Sequence, residues 1–215
     1  WDLTGQGKYW ASVEGGKGKA IELLQTAVGR GRSEDSTRVP LLLSILGNYQ
    51  LRNGELEAAA ASFKESSDLR PSDPMAMNNY AYVLGVNLNR PAEAEEFSIR
   101  AVQLSPRNAN LLDTLATIQA MKGDYSRALA TRLQQLVVTP GDSDLLVKIA
   151  FLHANDLQQP AKALPFIDQA MAIRPGDASA TSDAGWYYTQ AGKVVEGEEF
   201  LRKAERADPS ARTLI

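Results

Sequence analysis

Hydrophobic positions between Ala109 and Asp142 recur at helical spacing, at Leu112, Leu115, Ala116 and Ile118, until Gly123-Asp124 interrupts them. A second helical stretch follows, and Pro140 closes it. The pattern predicts two short amphipathic helices folded back on each other, and the rest of the chain repeats it. Small residues fall at Gly47, Ala81, Ala116, Ala150 and Gly185, separated by 34, 35, 34 and 35 residues. A second series, Ala59, Ala94, Ala128, Ala163 and Gly197, steps by 35, 34, 35 and 34, and Pro71, Pro106, Pro140, Pro175 and Pro209 keep the same period. Three series locked together at this length signal a repeat array, in which each unit buries its apolar face against its neighbours.

Small side chains at the eighth and twentieth places of a unit let its two antiparallel helices approach closely, while larger ones fill the space around them. Leu43, Leu46 and Phe63 take that part in the first full unit, and Leu112, Leu115 and Leu133 in the third. The proline after each second helix has no N–H with which to continue it. Helices of about 13 residues are marginal alone and depend on stacking. Two units carry one extra residue in the turn between helices, at Leu88-Asn89-Arg90-Pro91 and Leu157-Gln158-Gln159-Pro160, which lengthens the loop without shifting the helical faces. Pro91 and Pro160 suit a first helical turn. Pro165 falls inside the second helix of its unit and predicts a late start or a bend.

The units thus run 40–73, 74–108, 109–142, 143–177 and 178–211, preceded by a degenerate unit and loop over 1–39. In that first stretch Ala20, Leu24 and Ala27 mark a packing helix, and Gly5 and Gly7 weaken the helix before it. Trp1, Leu3, Tyr9 and Trp10 would cover the end of the array. The polar run from Gly29 through Val39 reads as a flexible loop.

Composition narrows the chemistry. The 215 residues are 44% hydrophobic and 23% charged, as in an ordinary folded protein. No run approaches the roughly 18 apolar residues of a membrane span. A net charge of -3 offers no long-range attraction for nucleic acid. With no cysteine, disulfides, thiolate metal sites and cysteine nucleophiles are excluded. The single histidine, His153, sits at a packing position with no second histidine to share a metal or a nucleophile. Gly15-Gly16-Lys17-Gly18-Lys19 fails as a phosphate loop, because Val13 replaces the required glycine and Ala20 the Ser or Thr; an interhelical turn is expected there. Glu93, Glu95 and Glu96, like Glu196, Glu198 and Glu199, read as solvated faces of second helices. No cofactor, metal or catalytic residue is expected.

Gly47, Gly54, Ala59, Phe63, Ser66 and Pro71 form a pattern that returns as Ala116, Gly123, Tyr125, Ala128 and Pro140, and as Gly185, Gly192, Ala204 and Pro209. From Pro40 to Ser210 it resembles the tetratricopeptide repeat (TPR) family, with departures at Ser98, Arg132 and Gln135, usually apolar or small. Asn78-Asn79-Tyr80-Ala81 and Leu112-Asp113-Thr114-Leu115-Ala116 resemble bacterial members, including those of envelope and exopolysaccharide systems. The resemblance implies an all-α, right-handed α-solenoid of stacked helix-turn-helix repeats. The first (A) helices of its units would line a concave groove holding a segment of another protein.

Carried over unit by unit, the groove residues are Asn48 and Arg52, Asn78 and Tyr82, Asp113 and Thr117, Phe151 and Asn155, and Trp186 and Gln190, with Leu41, Met75 and Met121 beside them. Tyr82, Phe151 and Trp186 share the ninth position of their A helices and would anchor a partner, unless they pack against the next unit. The carboxylate clamp of chaperone-binding members is excluded. Asn48 and Asn79 occupy its asparagine positions, but Ser44, Asn110 and Thr114 stand where cations are required. The implied function is a noncatalytic protein-interaction scaffold within a bacterial multiprotein assembly. Alternatives are a structural spacer or oligomerisation module, marked by apolar surface at Phe200, Leu201 and Leu214-Ile215, and a carbohydrate-contacting accessory protein stacking sugars on Tyr82 and Trp186. Trp1 in place of an initiator methionine suggests a processed or excised chain, and bacterial cytoplasm and periplasm both stay open.

Overall fold

The computed structural model describes residues 16–207; the expected end cover of Trp1, Leu3, Tyr9 and Trp10, the glycines at 5 and 7, Pro209 and the Leu214-Ile215 tail lie outside the described residues. Eleven α-helices and no strand occur among the described residues. They are α1 (Lys17–Glu34), α2 (Val39–Arg52), α3 (Leu56–Leu69), α4 (Pro74–Tyr82), α5 (Pro91–Leu104) and α6 (Ala109–Met121), then α7 (Tyr125–Val138), α8 (Ser143–Phe151), α9 (Pro160–Ile173), α10 (Ala178–Gln190) and α11 (Val194–Ala207). The chain divides into two compact units, one ending at Lys122 and one beginning at Gly123.

Within each unit, substantial packing joins only elements one or two places apart along the chain. Apolar burial is correspondingly split. In the first unit Ile21, Leu24 and Val28 of α1 meet Val39, Leu43 and Leu46 of α2, while Phe63 packs with Ala59, Ala60 and Val83, and Met77 with Ala101 and Leu111. In the second, Ala150, Ala163, Ile167, Ala184 and Tyr187 form the core. The predicted small positions do separate helices minimally: a Cβ on Gly47 would stand 2.9 Å from the Phe63 ring, and one on Gly185 would stand 2.6 Å from Leu201 Cγ.

The A helices start on a recurrent cap. Asp73, Asn108, Asp142 and Asp177, each two residues after a repeat proline, accept hydrogen bonds from backbone N–H groups of the first helical turn. The turn between helices needs one left-handed residue per unit. Gly54, Gly123 and Gly192 supply it with φ near 80°, at 82°, 77° and 82°, and Asn89 and Gln158 supply it at 54° in the two longer units.

The extra residue of those units enters ahead of that position. α4 and α8 each widen at their ends into a π turn, Val83–Asn87 and Leu152–Asp156, so the insertion is absorbed by the helix rather than by the loop. The faces are preserved as expected, with Ala81, Ala94, Ala150 and Ala163 fully buried.

Several expectations are corrected. α1 runs unbroken through Gly29 to Glu34, a single 3-10 turn at Ser36–Arg38 follows, and α2 begins at Val39, so no loop spans 29–39. Val28 is buried against α2, Arg32 pairs with Glu65 at 2.5 Å, and Gly31 lets α1 approach Val39 closely, which together hold the stretch helical. Lys17, Gly18 and Lys19 are the first turn of that helix and not an interhelical turn. α9 starts on time at Pro160 and continues through Pro165, whose ring is exposed. Leu133 is 38% exposed, because α7 buries Ala128, Thr131, Arg132 and Gln135 instead. Glu95 is not on a solvated face: it pairs with Lys122 beside α6.

Candidate functional site

Leu41, Met75, Tyr82, Met121, Phe151 and Trp186 are the exposed large apolar and aromatic side chains of the A helices among the described residues, and the three exposed aromatic ones, Tyr82, Phe151 and Trp186, are all there. In the first unit, α2 presents Leu41, Asn48 and Arg52, α4 presents Met75 and Tyr82, and α6 ends on exposed Met121. Asn48 donates to the carbonyl of Ser44 at 2.8 Å, and the half-buried Thr117 hydroxyl donates to the Asp113 carbonyl at 2.8 Å, so both are oriented by their own helix. Tyr82 is 41% exposed. Asn78, on the same face one turn earlier, is the exception to the predicted set: it is only 7% exposed, where α6 packs directly against α4, and its Oδ1 has no partner. It shapes the floor rather than offering an open contact.

In the second unit Phe151 on α8 and Trp186 on α10 are 50% and 47% exposed, with Gln190 exposed one turn beyond Trp186. Asn155 is half-buried in the π turn after α8; its amide donates weakly to the Phe151 carbonyl at 3.4 Å. The structure thus groups Phe151 and Asn155, and separately Trp186 and Gln190, on consecutive turns of their helices. By contrast, Phe200 and Leu201 of α11 are partly covered by α10, while Val194 and Val195 at the start of α11 are exposed. Phe200 packs on Tyr188 with ring centroids 5.1 Å apart, and Leu201 lies over Gly185.

Solved structures with the same arrangement place it. PilW, described as a widely conserved type IV pilus biogenesis factor, superposes with a TM-score of 0.77 at 16% identity, over 98% of this chain and 94% of its own. YrrB, described as a TPR protein with an unusual peptide-binding site, gives 0.72 at 20% identity, over 89% and 95%. The chain has the tetratricopeptide repeat fold, of the all-α helical-solenoid class. MamA, with a TM-score of 0.73 at 15% identity, covers 83% of this chain and 98% of its own. No protein-family model matches. Human protein O-mannosyl-transferase TMTC1 is 24% identical over 176 residues, 80% of this chain, and the chain spans 20% of that relative's length.

On this TPR framework three polar residues escaped the sequence reading. Tyr187, 2% exposed, has its hydroxyl pushed up to about 12 by burial first and by Asp183 second. Burial, and after it the neighbouring Asp177, raises the Asp183 carboxyl, and burial alone raises that of Asp156. The available signal was Asp183 three residues before Trp186, a spacing that puts both on one helical face. Among the described residues no group of three or more His, Asp or Glu could hold a metal ion, and no helix is long and apolar enough to cross a membrane.

His153 packs structurally in the second π turn. It is 8% exposed, stacks on Phe166 with centroids 5.6 Å apart, and leaves its Nδ1 without a partner. Burial first, and Lys162 second, lower its pKa from 6.5. The unfolded chain therefore takes up this proton before the folded one does. Stability is whole above pH 6.5 and falls as pH drops below it, by at most about 1.4 kcal/mol per pH unit. Urea denaturation between pH 7.5 and 5.5 is expected to show this slope in the native protein and a shallower one in His153→Leu.

Proposed function

We propose that the protein is a noncatalytic interaction scaffold whose A-helix faces bind a segment of another protein, within a bacterial multiprotein assembly. The observation that carries this reading is the aromatic residue at the ninth A-helix position in three repeats, Tyr82, Phe151 and Trp186, each two-fifths to one-half exposed. Rigid, partly exposed aromatic faces are the usual anchors of a protein partner. The peptide-binding site ascribed to YrrB and the type IV pilus biogenesis role ascribed to PilW, on the same fold, are in keeping with the segment and the assembly respectively. Of the surface expected for the oligomerisation alternative, Phe200 and Leu201 pack toward α10, and Leu214-Ile215 lies outside the described residues.

The test is selection of binders from a displayed random-peptide library, followed by titration against Tyr82→Ala/Trp186→Ala. Selected peptides are expected to lose about thirtyfold in affinity, as hot-spot truncation does, with circular dichroism unchanged. Equal binding by the double variant would end the reading, and a collapse of helicity would place both rings in the core.

A further inference from the structure

The first unit holds a cavity of about 290 Å³ between α1 and α3, floored by α2. It opens away from the A-helix interaction face. Leu43, Leu46 and Gln50, which line it, lie on the opposite side of α2 from Leu41, Asn48 and Arg52. Ser62 explains why there is room. It stands three residues after the small residue at the twentieth place of its unit, where three of the other four units carry Phe97, Phe166 and Phe200 and the remaining one Thr131. In the last two units that ring packs on the residue corresponding to Gln50. Phe166 stacks on His153 with centroids 5.6 Å apart, and Phe200 lies 5.1 Å from Tyr188. In the first unit a carboxamide and a hydroxyl stand there instead, and the space of the ring is open.

The floor of the cavity is polar and incompletely bonded. Gln50 is only 4% exposed, and its Oε1 accepts from Ser62 Oγ at 2.7 Å. Its Nε2 has no partner among the described residues yet is not sealed from solvent, so its two N–H groups are offered to the cavity. The walls are apolar, with Val28, Leu43 and Leu46 from α1 and α2 and Ala58 and Ala61 from α3. At the rim Arg32 and Glu65 pair at 2.5 Å and cancel each other's charge.

We propose that this cavity is a second docking site, which receives one carboxamide side chain, glutamine or asparagine, from a protein partner lying across α1 and α3. The lining selects that head group. A charged group would lose its hydration between apolar walls with no net opposite charge to meet it. An aliphatic or aromatic group would displace water from Gln50 Nε2 and leave its N–H groups unsatisfied. A carboxamide brings the carbonyl oxygen that Nε2 lacks, and its own N–H groups find an acceptor in the Ser62 hydroxyl oxygen. The size suits one side chain of a larger partner, because the cavity stands at the lower end of small-molecule pockets and is open to solvent.

The test is selection of displayed random peptides on the whole native chain, with counter-selection on Ala61→Phe, which fills the cavity from an exposed position of α3. The retained peptides are expected to share a glutamine or asparagine, and changing it to glutamate or leucine should weaken binding about tenfold or more. Gln50→Met keeps the chain length but removes the donor, and should cost the same peptides a similar factor with circular dichroism unchanged. Tyr82→Ala/Trp186→Ala should cost them nothing. If Gln50→Met does not fold, the comparison of peptides on the native chain decides alone. Retained peptides that share an apolar or charged residue instead, or a selection in which none distinguishes the native chain from Ala61→Phe, would overturn the inference. A capped single glutamine binding as tightly as the peptides would make this a small-ligand site and overturn it too. Each of these results leaves the A-helix reading standing.

Discussion

Replacing Phe63 by alanine is expected to lower the unfolding free energy by about 3–5 kcal/mol, the cost of emptying a large aromatic site in a core that cannot collapse. Phe63 is 1% exposed and packs with Ala59, Ala60 and Val83. Its ring occupies the space that a side chain at position 47 would otherwise take, and Gly47 has nothing with which to refill it. The closest helix approach is filled by the ring against Gly47, Ala59 and Ala60, which are too small to occupy the space that truncation leaves. Urea titration followed by circular dichroism measures the loss. A midpoint unchanged from the native protein would remove Phe63 from the core. A cycle with Gly47→Ala sharpens the result: the added methyl should be costly beside the ring, which would lie 2.9 Å away, and much less so in the Phe63→Ala background.

The second large effect is expected from Gly197→Val on α11, a loss of about 3 kcal/mol through overpacking. A Cβ there would stand 2.2 Å from Thr189 Oγ1, 2.8 Å from the Gly185 carbonyl oxygen and 2.9 Å from the Thr189 backbone nitrogen. Two of these are backbone atoms, which no rotamer change can clear, so α10 and α11 must separate. The Thr189 hydroxyl, which donates to the Gly185 carbonyl at 2.9 Å, is displaced as well. The helix-propensity gain over glycine is a few tenths of a kcal/mol and does not offset this. Thermal unfolding provides the measurement. Gly29→Ala on α1, where an added Cβ meets nothing within 4 Å, is the control and is expected to be neutral or stabilising. A Gly197→Val protein as stable as the native one would show that the helices are not in contact at this point.

The order of these two effects follows from features visible in the chain before any coordinates. Glycine or alanine at the eighth and twentieth positions of each unit states that two helices cross closely there, since only that geometry has a use for small residues recurring every 34 or 35 places. Phe63 beside them was legible as filler for the same reason. The aromatic ninth position was legible too, because period alone puts Tyr82, Phe151 and Trp186 in equivalent places. The caps at Asp73, Asn108, Asp142 and Asp177 were equally available in the repeat of an acid or amide two places after a proline.

Other features needed neighbours. Arg132 and Gln135 are buried while Leu133 is not, since the hydrophobicity of a residue does not say which side of its helix the adjacent helix will cover. Asn78 and Tyr82 share one A-helix face in sequence, yet the packing of α6 on α4 leaves one buried and the other open. The polar run after Gly29 has loop composition, but Val28 and the Arg32–Glu65 pair anchor it to helices that come later in the chain.

The extra residues before Asn89 and Gln158 could be counted from the sequence but not located, because a widened helical turn and a longer loop conserve the same downstream register. By itself the sequence determined the period, the hairpin unit and the points of close helix approach, all consequences of side-chain size repeating along a regular backbone. Only the tertiary structure decided which faces stay open and which charges pair across helices, as Arg32 with Glu65 and Lys122 with Glu95 do, because burial and charge pairing depend on residues far apart in the chain.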